Sequence, residues 1–160
     1  MLNDCIIVQH FFCEMTELLP LFLHLIIHLT MSSIFTKIVS GEIPSYKIAE
    51  SDKFYAFLDI NPLAMGHTLV IPKKETDYIF DMDDDQLADM MVFAKKVAHA
   101  IKKQIVCKRI GITVLGLEVP HAHIHLVPIN GIYDIDFSKP KLSFSEAEFQ
   151  NLANAIRSGL

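Results

Sequence analysis

Residues 121–128 read His-Ala-His-Ile-His-Leu-Val-Pro, and this alternation constrains the fold more tightly than any other stretch. Its period of two predicts a strand with one apolar face and one face lined by imidazoles. Successive rings on that face are expected about 6.7 Å apart along the strand. Packing alone rarely calls for a row of polar rings, because each buried ring nitrogen needs a hydrogen-bond partner. Three neighbouring imidazoles also oppose one another's protonation. At least one is therefore expected neutral at pH 7, with a lone pair open to a phosphorus atom, a carbonyl carbon or a metal.

The rest of the chain supplies the setting. Its 160 residues suit one domain with a sizeable core, and 51% hydrophobic against 21% charged residues argues against disorder. A net charge of −5 gives no support for a nucleic-acid-binding surface. An anionic small ligand would have to be held locally, by backbone N–H groups and histidines. Cys5, Cys13 and Cys107 form no Cys-x-x-Cys pair, so a disulfide framework is not expected. The simplest compartment is a reduced, cytoplasmic one.

Residues 1–30 differ in character from residues 31–160. They contain no Lys or Arg, and their apolar run from Leu18 to Leu29 is shorter than the roughly 20 residues needed to cross a bilayer. No positive n-region precedes it, so neither a membrane span nor a secretory signal is expected. The leader reads as an apolar segment upstream of a true start at Met31. The expected organisation is a main domain over 31–128, a boundary and a catalytic role that the family resemblance given below implies, and a C-terminal extension with a helix over 129–160.

Within that domain, Ser32 to Ser40 reads as a short helix ended by Gly41, and Tyr46–Glu50, Phe54–Ile60 and His67–Ile71 read as strands. Leu87, Met90, Met91, Ala94, Val97, Ala98, Ile101 and Ile105 recur at helical spacing behind the acidic start Asp83–Asp85. Arg109–Leu115 is a fourth strand and the histidine segment a fifth. Ser145 and Glu148 form a capping box for a last helix. This order predicts an α+β fold around a mainly antiparallel sheet.

Two chemistries suit the histidine row. Imidazoles two apart on a strand can share a catalytic zinc with a third ligand, Glu118 being the only close carboxylate. Alternatively, one neutral ring attacks phosphorus while its neighbours orient it and bind phosphoryl oxygens, through a phosphoramidate-type intermediate.

The segment His121-Ala-His123-Ile-His125-Leu-Val resembles the motif of the histidine triad (HIT) nucleotide hydrolases and transferases. Ile34–Pro44, Ala56–Pro62 and Gly66–Lys74 also resemble segments of that family, in the same order. The resemblance implies a five-stranded antiparallel sheet with two main helices, and a homodimer with a continuous sheet. It implies attack on the α-phosphorus of AMP or GMP derivatives, as in nucleoside phosphoramidases and dinucleoside polyphosphate hydrolases, without a cofactor. His123 would be the nucleophile, His125 would hydrogen-bond the phosphate or the scissile atom, and His121 and His67 would orient His123. Asp59 would accept from the ribose hydroxyls, and Phe35, Ile38, Phe57, Leu58 and Ile60 would line the base pocket. The competing readings are a nucleotide-binding module with weak catalysis and a metal-dependent hydrolase.

Three departures from the family pattern bear on function. Many members hold a structural zinc with two cysteines and a later histidine, where this chain has Ser33, Thr36 and Glu75. No structural zinc is therefore expected. The loop before the triad, Gly116-Leu-Glu-Val-Pro120, is short and lacks the usual Asn and Gly residues, leaving the N–H groups of Glu118 and Val119 as candidate phosphate donors. The tail from Ile129 onward does not resemble the family's short end and is a candidate for partner contacts.

Overall fold

In the computed structural model, which describes residues 32–160, side chains alternate across a single five-stranded antiparallel sheet. The strands are β1 (Lys47–Glu50), β2 (Phe54–Leu58), β3 (Thr68–Pro72), β4 (Arg109–Thr113) and β5 (Ile124–Ile129), in the spatial order β1-β2-β3-β5-β4. Helices α1 (Ile34–Ser40), α2 (Asp84–Gln104) and α3 (Glu146–Arg157) complete the α+β fold expected from the sequence. The apolar leader lies outside the described residues, and none of the described helices is long and apolar enough to cross a membrane.

Each helix begins where a side chain can satisfy its free N–H groups. Ser33 caps α1 by accepting from the Thr36 N–H, Asp83 caps α2 from Gln86, and Ser145 and Glu148 form the reciprocal box that opens α3. Gly41 ends α1 at φ 83°, a left-handed conformation that suits glycine.

The sheet separates two apolar clusters. Phe54, Ala56 and Leu58 of β2, Val70 of β3 and Ile124 and Leu126 of β5 pack with Met90, Ala94, Val97 and Ile101 of α2 and with Phe149, Ala153 and Ile156 of α3. On the other face, Tyr55, Phe57, Leu69 and Ile71 pack with Phe35 and Ile38 of α1. At about 25 cal/mol per Å² of apolar surface buried, the first cluster is the main source of stability. Met91, expected on the buried stripe of α2, is exposed, and Ala100 takes a buried place instead.

The predicted strand over 121–128 is the main correction. Regular pairing starts only at Ile124, so His125 alone of the three histidines lies in β5. Continuing the β3–β5 register would set Ala122 opposite Pro72, which has no N–H to donate. The Ala122 N–H goes to the Thr76 carbonyl (2.6 Å) and the His121 N–H turns back to Val119 (2.8 Å). Similarly, Ile60, His67 and Leu115 lie just outside β2, β3 and β4.

Candidate active site

The end of β5 nevertheless brings His123 and His125 together, their ring centroids 4.8 Å apart. His67, just before β3, meets His125 with Nε2 3.0 Å from Nδ1. All four histidines are buried, His121 at 0% and His123 at 5% exposure. Their hydrogen bonds assign each proton.

A carbonyl can only accept and a backbone N–H can only donate. His123 Nδ1 lies 2.7 Å from the His121 carbonyl, so Nδ1 carries a proton, and the tautomer this bond selects has its lone pair on Nε2. The Leu63 N–H donates to His67 Nδ1 at 3.1 Å. The proton of His67 is therefore on Nε2 and is donated to His125 Nδ1, which leaves His125 with its N–H at Nε2. His67 Nδ1 also lies 3.5 Å from an Asp59 carboxylate oxygen, but with its lone pair taken by Leu63 it has no proton to offer there.

Among the described residues, His123 Nε2 and His125 Nε2 have no protein partner, yet no buried side-chain nitrogen is left unpaired. Both atoms therefore reach the surface of the adjoining cavity. One offers a lone pair, and beside it the other offers a proton. Burial holds His125 down to about 3, helped by the neighbouring His123 and His67, and burial holds His67 down to about 4. Both rings stay neutral at pH 7.

The cavity, about 230 Å³, gathers nearly every residue singled out in the sequence. Phe35, Ile38, Phe57, Leu58, Asp59, Ile60, Glu118, Val119, His123 and His125 all border it. Ile60 is 65% exposed and borders the opening, so it is no core residue, whereas Leu58 is packed into the α2–α3 core. Asp59 accepts the Asn61 N–H on Oδ1 at 2.8 Å. The N–H groups of Glu118 and Val119 have no acceptor among the described residues.

His121 and His67 lie behind this wall. His121 donates from Nε2 to the Pro72 carbonyl at 2.8 Å, so its Nδ1 accepts from the Ser33 hydroxyl at 2.7 Å. The Ser33 N–H (3.0 Å) and the Thr36 hydroxyl both donate to the Glu75 carboxylate. Burial lowers the His121 pKa against the raising effects of the Pro72 hydrogen bond and the Glu75 charge. Burial is also the largest influence on Glu75 and raises it, but the hydrogen bonds from Thr36 and Ser33 outweigh it and leave the carboxyl below its ordinary value. This set does not fit a structural zinc: it has no thiolate, and both nitrogens of its only imidazole are hydrogen-bonded.

Asp59, His67 and His125 lie close enough together to be weighed as metal ligands. A cation there would have to displace either the Leu63 N–H from His67 or the His67–His125 bond. The donor set is thus better matched to its own hydrogen bonds.

Several participants were not visible in the sequence. Leu63 and Pro72 act through backbone atoms, which no residue pattern reports. Phe137 packs edge-on against His125, with centroids 4.9 Å apart, and against His67 at 6.4 Å. Its one sequence signal is an aromatic ring set among Asp136, Ser138 and Lys139.

The sheet, the histidine pair and the cavity can now be set beside known proteins. Residues 40–131 match the HIT domain family, to which this chain belongs. An adenosine 5'-monophosphoramidase of Saccharomyces cerevisiae is 43% identical over 102 residues, 62% of this chain and 64% of that protein. Another, from Schizosaccharomyces pombe, is 37% identical over 131 residues, 80% of this chain and 98% of that one. The crystal structure of a Hit-like protein from Bartonella henselae superposes with a TM-score of 0.70 at 31% identity, covering 81% of this chain and 96% of that chain.

Proposed function

We propose that the chain is a nucleotide hydrolase that moves a nucleoside monophosphate, AMP or GMP, from a leaving group to His123 and then to water. The observation that carries this reading is the lone pair on His123 Nε2 beside the N–H on His125 Nε2 at one cavity wall. The named activity of the two yeast relatives supports the same reaction class.

In the first step, His123 Nε2 attacks the α-phosphorus. An N–P bond forms as the bond to the bridging oxygen or nitrogen breaks, and the leaving atom departs with the electron pair, a leaving nitrogen taking up a proton from solvent. Positive charge developing on the ring is stabilised by the Nδ1–H bond to the His121 carbonyl. His125 donates its hydrogen bond to the bridging atom or a phosphoryl oxygen. In the second step water attacks phosphorus and gives up a proton to solvent, and the N–P bond breaks with its electron pair returning to His123 Nε2. Asp59 takes the ribose hydroxyls on the carboxylate oxygen not held by Asn61, and Phe35, Ile38 and Phe57 form the base wall. The N–H groups of Glu118 and Val119 bind phosphate.

The same reading makes the protein a homodimer. β4 is an edge strand, and Ile112, Val114 and Leu115 on and beyond it are exposed. Pairing β4 with its copy would extend the sheet and cover them.

The test is AMP release from adenosine 5'-phosphoramidate and from dinucleoside polyphosphates, with and without a chelator. Release that ignores the chelator supports the proposal. Chelator-sensitive release would favour the metal reading, and tight AMP binding without release the binding module.

A further inference from the structure

Beyond β5 the chain crosses the site face as a strap over residues 131–144. Ile135 sits on Gly111 of β4, where even a single added Cβ would lie 2.5 Å from the Ile135 Cδ1. The Leu142 N–H bonds to the Pro62 carbonyl at 2.9 Å, and Phe144 packs on Phe149 of α3 at 5.4 Å. Between these anchors, Phe137 meets His125.

Ring contacts then run in a row from Phe57 to Phe35 (5.6 Å), His123 (5.2 Å), His125 (4.8 Å) and Phe137 (4.9 Å). The Lys141 Nζ ends the row, 5.2 Å from the Phe137 centroid. Displacement at phosphorus places the departing group opposite the attacking nitrogen. A departing group whose bridging atom is held by His125 therefore lies beside the ring that Phe137 packs against, with the Lys141 ammonium close enough to act on His125 by its charge. The Lys141 ammonium is bonded to the Phe137 carbonyl (2.6 Å), and among the described residues no carboxylate lies within ion-pair distance of it. Of the two nearest acids in sequence, Asp136 and Glu146, neither pairs with it; Asp136 feels its charge but accepts its hydrogen bonds from the Ser138 N–H and hydroxyl.

We infer that Lys141 is a specificity-determining residue that favours leaving groups carrying an anion, either a carboxylate or a further phosphate. The inference rests on the reaction proposed above. It gives the strap a role in reading the leaving group.

A matched pair of substrates tests it: AMP joined through nitrogen to glycine, and the same conjugate of glycinamide, which differs by one negative charge. The readout is the ratio of their kcat/KM values. Lys141→Ala is expected to lower the ratio about fivefold, Lys141→Glu to lower it further, and Lys141→Arg to keep it. Lys139→Ala, on the same strap but tied to the Tyr133 carbonyl, is expected to keep the wild-type ratio. Raising the ionic strength should shrink the wild-type preference. A ratio that stays constant across the Lys141 variants overturns the inference while leaving the hydrolase reading intact. A wild-type chain that cleaves neither conjugate nor the simple phosphoramidate removes both.

Discussion

Among the described residues, His123 and His125 each turn an unpaired Nε2 to the cavity, whereas His121 and His67 have both ring nitrogens bonded within the protein. The four rings are similarly buried, so burial does not separate them. What separates them is where their hydrogen bonds end. In the proposed reaction the outward pair does the chemistry, while the His67 ring fixes the tautomer of His125 and the His121 backbone carbonyl fixes that of His123. Substitutions should therefore divide into those that stop turnover and those that loosen the site.

The largest expected effect is on turnover. His123→Ala should reduce kcat by about 10⁴-fold or more, as loss of a nucleophile does, while nucleotide binding and melting temperature stay close to wild type. Rapid-quench kinetics with binding by calorimetry would measure both. A loss confined to KM would erase the distinction between the two pairs.

Acid should expose the largest stability effect. His67 and His125 titrate near 6.5 when unfolded but only at about 4 and about 3 in the fold. Between these values the unfolded chain binds more protons than the native one, so stability falls as pH falls. Each ring contributes a slope of up to about 1.4 kcal/mol per pH unit below pH 6.5, and none above it. Urea titrations between pH 7.5 and 4.5 would show this, and a flat profile would mean that the rings are not held neutral.

His67→Ala sharpens the comparison from the other side. It leaves His125 Nδ1 and the Leu63 N–H without partners, at about 1–3 kcal/mol, and frees the His125 ring to turn. Turnover should drop about 10- to 100-fold, and the acid slope should weaken because one titrating ring is gone. Ser33→Ala is the mildest. It removes the cap of α1 and the donor to His121, lowering stability by about 1 kcal/mol with a small change in kcat.

Much of this arrangement was legible before the structure, and the parts that were not share a physical cause. The capping box at Ser145, the acidic start of α2 and the antiparallel strand order follow from local rules that residues obey wherever they sit. The cavity residues were reached through ordered segments resembling the family. The histidine strand was overextended because alternation reports which side chains share a face but not where ladder pairing begins, and Pro72 and the turn at Val119 decide that. Proton positions depended on backbone partners at Leu63, His121 and Pro72, which no pattern of side chains can report. Phe137 and Lys141 were missed because the strap gains its meaning only from where it crosses the sheet.

The central claim is a covalent bond between phosphorus and one nitrogen. Quenching a single turnover of adenosine 5'-phosphoramidate in alkali, where an N–P bond survives, and mapping the adduct by mass spectrometry would test it. The account predicts one AMP group on the peptide carrying His123, absent in His123→Ala. An AMP adduct on any other residue, or steady release with no adduct at any time, would contradict it.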